Sequence, residues 1–207
     1  MSSFRLGVVV NPWAGIGGAT ALKGSDGSAV RAEALARGAE PRALGRMTRT
    51  LASLASEGLT VLTWGGAMGE DAATAAELAS TVLGAAEGES TGADTQRAVR
   101  ALVAAGIDLL LFAGGDGTAR DVASALEDHG DPPLVLGVPA GVKMHSGVCA
   151  VTPEGAAEVI TGLRSGALIT RCEGEVRDID EAAFREGVVK TRFYGTLAVP
   201  GAPRWVQ

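Results

Sequence analysis

The chain has 207 residues and a formal net charge of −6, from 18 basic and 24 acidic side chains, so it lacks the basic face with which a general nucleic-acid binder displaces counterions. Hydrophobic residues make up 46% and charged residues 20%, which is enough apolar surface for a buried core and too little charge for a disordered acidic tail. The 30 glycines are about double the usual ~7% share, so many turns must be tight or must let a ligand approach the backbone closely.

Residues 4–10 form a short apolar run that ends at Asn11-Pro12 and a glycine cluster, Gly15, Gly17 and Gly18, so a strand is followed by a loop. Residues 20–40 are small and polar and read as a long loop with one helical turn over 30–36. Pro41 opens a helix to Ser56, with Leu44, Met47, Leu51 and Leu54 at helical spacing and Gly58 as its stop. A second strand covers 59–64, and the glycine turn at 65–69 leads to an alanine-rich helix over 70–79. A brief strand at 81–83 follows, then a helix over 94–105 with Asp94 or Thr95 as N-cap. That helix feeds the strongest strand signal of the chain, 107–113, which is apolar almost throughout, as a central parallel strand covered on both faces must be. Gly114-Gly115-Asp116-Gly117-Thr118 ends it, and a helix runs on to about Asp128. The Pro132-Pro133 turn, a strand over 134–138, the Pro139-Ala140-Gly141 turn and helical stretches over 143–150 and 153–165 complete this part.

Strands alternating with helices predict an α/β fold over residues 1–167, a Rossmann-like open parallel sheet with helices on both faces. From 168 to 207 the texture turns polar and β-branched, with strands over 173–179 and 188–199 that begin a truncated β-rich second domain. No run of about 18 apolar residues marks a membrane span, and the N-terminus leads straight into a strand pattern rather than a signal peptide. Cys149 and Cys172 lack CxxC spacing, and the only histidines are His129 and His145, so no cysteine metal site is expected. A reducing cytoplasm is the expected compartment.

Ligands of an open parallel sheet bind at the carboxyl ends of its strands, and the turns at 11–18, 114–118 and 139–143 all follow strands. Their glycines either make tight turns or let backbone N–H groups close on phosphate oxygens at a helix N-terminus. Asp116 sharpens the choice. A carboxylate inside a phosphate loop repels the ligand unless it holds Mg²⁺ or takes a proton from a substrate hydroxyl; otherwise it is a turn residue bonded to its own backbone. Thr118 and Asp121 have the spacing of a capping box for the next helix, which competes with a catalytic role. No GxxxxGK[ST] and no GxGxxG after the first strand occur, which removes the P-loop and the ordinary dinucleotide fingerprint.

The strand-GGDGT-helix unit, followed by Gly137-Val138-Pro139-Ala140-Gly141-Val142-Lys143, resembles the superfamily of NAD kinases, diacylglycerol kinases and sphingosine kinases. It is most similar to the ATP-NAD kinase-like family that includes the acetoin-catabolism X protein, through NPWAGIGG at 11–18, LKGSDG at 22–27, MGE at 68–70, GGDGTARDV at 114–122, GVPAGVKMHSGV at 137–148 and DIDEAAFR at 178–185. The resemblance implies Mg-dependent phosphoryl transfer from ATP, or from polyphosphate, to the 2′-hydroxyl of NAD, giving NADP. Asp116 would then act as catalytic base and magnesium partner. Gly114, Gly115, Gly117 and Thr118 would shape the phosphate loop, with Asn11, Gly15, Gly17 and Gly18 facing the same phosphates. Lys143 would supply local positive charge, and Gly141, His145 and Ser146 would touch acceptor or nucleotide, a plain structural role being equally open for Lys143 and His145. A kinase for another small-molecule or lipid hydroxyl and an inactive nucleotide-binding accessory protein are the alternatives. Small-molecule nucleotides are the expected partners, without nucleic acid or membrane. Since relatives continue beyond the equivalent of Gln207, the resemblance also implies that Phe193, Tyr194, Leu197 and Trp205 lie on an uncovered apolar surface that favours a homo-oligomer.

Overall fold

Five short apolar runs pair as parallel strands in the computed structural model, which describes residues 3–16, 32, 33, 35–38, 40–140, 144–167, 170–179, 190–202, 204 and 206. In chain order the main elements are β1 (Phe4–Val10), α1 (Ala43–Ala52), β2 (Leu59–Thr63), a 3₁₀ turn (Gly66–Met68), α2 (Glu70–Ala75), β3 (Ser80–Val82), α3 (Gly92–Ala104), β4 (Leu109–Gly114), α4 (Asp116–Leu126), β5 (Leu134–Pro139), α5 (Pro153–Arg164), β6 (Arg171–Ile179) and β7 (Thr191–Pro200). The parallel sheet has the order β3-β2-β1-β4-β5, and β6 and β7 form a separate antiparallel pair. Helices cover both faces of the parallel sheet, so the fold is Rossmann-like α/β. No helix among the described residues is long and apolar enough to cross a membrane.

The period of two along β4 decides which layer each residue serves. Leu109, Leu111 and Ala113 join Met47 and Leu51 of α1 and Ile160 of α5 in one core. Leu110 and Phe112 join Val99 and Leu102 of α3 and Val122 of α4 in the other. All five β4 side chains have no exposed surface; each such leucine contributes about 1.5–3 kcal/mol relative to an exposed one.

Local physics moves several element ends. α1 stops at Ala52 rather than Ser56 because the Ser53 and Leu54 N–H groups bond back three residues, to Thr50 O and Leu51 O, which tightens and closes the last turn. α2 ends at Ala75, short of the expected 79. α3 begins at Gly92, and its N-cap is Thr91; Asp94 is the third helical residue, whose carboxylate completes a capping box by accepting the Thr91 N–H at 2.9 Å. Of the helical turn expected over 30–36, residues 32, 33, 35 and 36 are helical, and 30, 31 and 34 lie outside the described residues.

Residues 144–150 are not the expected helix. Gly137 N–H donates to Val148 O at 2.9 Å, Ala150 N–H to Gly137 O at 2.8 Å, and Gly147 N–H to Glu175 O at 2.8 Å. The segment is therefore spread between β5 and β6, spending its backbone groups on distant partners rather than on its own turns. The hairpin behind it packs on α4 and β5, with Val176, Leu197 and Val199 buried in the α3–α4 core. The expectation that Leu197 is exposed is thereby corrected, since only 4% of it is accessible. Phe193 is 51% exposed, Tyr194 is half-buried, and Trp205 lies outside the described residues.

Candidate functional site

The strand order turns back between β1 and β4, the kind of switch point outside which an open α/β sheet binds its ligands. Here the end of β1 and the loop after β4 are bonded to each other. Asn11 N–H donates to Ala113 O at 2.9 Å, and Asn11 Nδ2 donates to Thr118 Oγ1 at 3.0 Å. The other end of the same amide, Oδ1, accepts the Trp13 N–H at 3.1 Å and turns the chain out of the strand. β5 closes the third side: Ala140 N–H donates to Gly114 O at 2.9 Å, and the Arg46 guanidinium donates to Pro139 O. Gly15 packs under this junction with φ of +91°, where a Cβ would stand 2.6 Å from Ala140 O, so both its backbone and its surroundings require glycine.

The glycines of the 114–118 loop divide into two kinds. A Cβ on Gly114 would lie 2.3 Å from Thr118 Cβ and Oγ1, so this glycine is needed for the loop to fold. A Cβ on Gly115 would meet nothing within 4 Å, and one on Gly117 would meet only Asp178 Oδ2, at 3.9 Å. Neighbouring described residues give no reason for glycine at these two places. What remains, among the described residues, is open space over the start of α4. That helix begins at Asp116 with Gly115 as an N-cap that supplies no side-chain bond. Its first intrahelical donor is the Ala119 N–H, to Gly115 O at 3.0 Å, so the N–H groups of 116–118 and the positive end of the helix dipole are available to an anion.

The capping box expected from Thr118 and Asp121 is not formed. The helix starts two residues earlier, Thr118 is its third residue, and the Thr118 hydroxyl meets Asn11 instead. Asp121 reaches across to α3, where its Oδ2 stands 2.8 Å from the position of a Cβ on Gly92.

Asp116 is 9% exposed. Its Oδ2 accepts the His145 N–H at 2.8 Å and its Oδ1 accepts the Ser146 N–H at 3.0 Å. One donor on each oxygen fixes the plane of the carboxylate and leaves each oxygen a second lone pair. Beneath it sits Cys149, whose thiol is driven far above its ordinary range by complete burial and, secondarily, by the Asp116 charge, so it stays protonated. The His145 side chain is exposed. Ser146 is 1% exposed, and its hydroxyl is engaged with the backbone of Arg177, donating to O at 2.8 Å and accepting from N–H at 3.1 Å. Gly17, Gly18, Gly141 and Lys143, with the 22–27 motif, lie outside the described residues.

The hairpin adds residues that sequence reasoning did not assign to the site. Arg120, one helical turn beyond Asp116, donates to Asp178 Oδ2 at 3.3 Å and stands 5.4 Å from the centroid of Tyr194, whose ring also faces Arg192 at 5.5 Å. The spacing of four from Asp116 could have flagged Arg120; nothing local marks Tyr194. Two clefts lie on the protein, neither lined by residues of the 114–118 loop. One of about 710 Å³, mostly apolar, lies over the ends of β1 and β2 and is lined by Pro12, Trp13, Leu44 and Met68. The other, about 690 Å³, runs between α4 and β7 from Arg120 to His129. Both are in the range of roughly 300–1,000 Å³ that takes a nucleotide-sized ligand.

Among the described residues no three His, Cys, Asp or Glu side chains gather into a closed metal cage. Magnesium that arrives on phosphates needs no such cage, because one or two carboxylates, phosphate oxygens and waters complete its octahedron. Asp116, with a lone pair left on each oxygen beside an open anion cradle, fits that donor set.

Set beside known families, the chain is matched by the model of the ATP-NAD kinase N-terminal domain over residues 6–167, from β1 to just beyond α5. No curated protein matches it.

Proposed function

The chain belongs to the ATP-NAD kinase N-terminal domain family, and from that premise we propose that it phosphorylates NAD to NADP, with ATP or polyphosphate as donor. The order of its motifs favours the branch of the family that includes the acetoin-catabolism X protein. The observation that carries the reading is the position of Asp116: a carboxylate with both oxygens oriented, at the switch point of the sheet, beside two glycines whose missing side chains leave room for phosphate.

In this reading the donor's phosphates seat over Gly115 and Gly117, where the N–H groups opening α4 face their charge. Asn11 and Thr118 hold the floor of the cradle, with Gly15 packed beneath the junction. Asp116 takes the proton from the ribose 2′-hydroxyl as the O–P bond forms and the bond to the leaving phosphate breaks; solvent then takes the proton from Asp116. Magnesium, held by Asp116 and the phosphates, supplies charge neutralisation when bound. The exposed His145 imidazole meets the acceptor, and the motif resemblance alone assigns Gly141 to acceptor contact and Lys143 to local positive charge. The β6–β7 hairpin, opening the unit from 168 to 207, forms the acceptor side.

The test is NADP formation from NAD, Mg²⁺ and either ATP or polyphosphate, run beside glycerol, diacylglycerol and sphingosine as competing acceptors. Phosphorylation of NAD in preference to these supports the proposal. Phosphorylation of a lipid alone, or nucleotide binding without transfer to any of them, overturns it.

A further inference from the structure

The bonds around residue 146 tie the hairpin to the carboxylate of Asp116. Each Asp116 oxygen takes its N–H from one of two consecutive residues, His145 at 2.8 Å and Ser146 at 3.0 Å, so the direction of the carboxylate's remaining lone pairs depends on where residues 145–147 lie. That segment is fastened to β6 by Gly147 N–H to Glu175 O at 2.8 Å. It is also fastened by the Ser146 hydroxyl, which closes a two-bond clasp on the N–H and C=O of Arg177 at 3.1 and 2.8 Å. The β6–β7 register shifts between Val176 and Arg177, where Tyr194 of β7 has no partner on β6, so the clasp holds the backbone of the strand opposite a bulge. Ser146 is 1% exposed, and among the described residues its hydroxyl makes both of these bonds and no other.

We infer that Ser146 is a positioning residue: through its clasp on Arg177 it aims the Asp116 carboxylate, and so makes docking of the β6–β7 hairpin a condition for a competent base. The inference rests on the proposed kinase reading for its catalytic consequence, but the clasp itself is independent of that reading. Ser146→Ala keeps the N–H that reaches Asp116 and removes only the clasp, freeing the segment to shift. A displacement of about 1 Å at a base costs about 10²-fold in rate, whereas binding of the donor uses other groups.

The experiment measures two quantities on the whole chain. Amide hydrogen exchange at His145 and Ser146 should speed up by about tenfold or more in Ser146→Ala, since the two hydroxyl bonds that fasten the segment to Arg177 are lost, while the amides of β4 keep their protection. Turnover on NAD should fall by about 10- to 100-fold in kcat, with KM for ATP within about threefold of wild type. Ser146→Thr, which keeps the hydroxyl, should recover most of both. Thr50→Val is the control for simple destabilisation: it removes a buried hydroxyl bonded to Pro153 O at 3.0 Å between α1 and α5, and kcat should hold. Unchanged exchange at 145 and 146 in Ser146→Ala, or an equal loss of kcat in Thr50→Val, overturns the inference. If the wild-type chain phosphorylates no acceptor, the kinase reading fails and the exchange result alone decides whether Ser146 aims the carboxylate.

Discussion

Replacing Gly115 by alanine separates a glycine kept for its ligand from one kept for its fold. The backbone at Gly115 is extended, with φ −104° and ψ −169°, a conformation open to any L-residue. The added methyl meets no described atom within 4 Å. Alanine restricts the unfolded chain and so stabilises by about 0.4–1 kcal/mol. It is also a poorer N-cap than glycine, by a similar fraction of a kcal/mol. The two effects oppose each other, and the net change should stay within about 0.5 kcal/mol, a shift in Tm of about 2 °C or less for a chain of this size. Activity should behave differently, because the methyl occupies the space over the first N–H groups of α4. Phosphates pushed off that cradle by about 1 Å should lower kcat/KM by about 10²-fold. Thermal melting beside NADP formation reads both quantities. Wild-type turnover in Gly115→Ala, within about twofold, would refute the view that phosphate closes on this backbone.

Gly114→Ala should do the reverse at the level of stability: its Cβ would stand 2.3 Å from Thr118, and relieving that clash should cost about 1–3 kcal/mol, seen as a lower urea midpoint at unchanged m. Thr118→Val keeps the shape and removes the hydroxyl that accepts from Asn11 Nδ2 at 3.0 Å, which should lower stability by about 1–3 kcal/mol because that amide proton is left without its partner. Asp94 should govern part of the acid sensitivity. The Thr91 hydroxyl, opposed by burial and helped by the Thr91 N–H and Arg97, holds its carboxyl below the ordinary range. A depressed folded pKa means that its stabilisation is present above the unfolded value of about 4 and is lost as pH falls through the lower folded value. Urea midpoints measured from pH 7 down to pH 2 should therefore fall less steeply in Asp94→Asn, which starts less stable at pH 7. Parallel curves would remove Asp94 from the account.

How much of this was legible in the chain depends on whether the deciding contact is local. β4 and the loop behind it could be read because five consecutive apolar residues, Leu109 to Ala113, serve two cores at once and then meet a run of glycines. The parallel sheet followed from the alternation of such runs with helices. Residues 144–150 could not be read correctly, because their bonds go to Gly137 and Glu175 rather than to one another. The same limit applies to α4. Thr118 and Asp121 have capping-box spacing, yet Asn11 and α3 take their side chains across the fold. For the site, Asp116 stood out as a charge among glycines, whereas the donors that orient it are main-chain N–H groups and carry no residue signature. Arg120, Asp178 and Tyr194 meet only once the hairpin folds back on α4.

The most direct test of the central claim is the single-turnover rate of NADP formation by Asp116→Asn against wild type, at saturating ATP, Mg²⁺ and NAD. The asparagine amide can accept from one of the two N–H groups that face residue 116 and must oppose the other, so folding is checked by melting and ATP binding is measured alongside. With the fold and ATP binding retained, the rate should drop by about 10²–10⁴-fold, as expected when a positioned base is removed. A folded Asp116→Asn chain that makes NADP at a rate within about threefold of wild type would contradict the role assigned to this carboxylate.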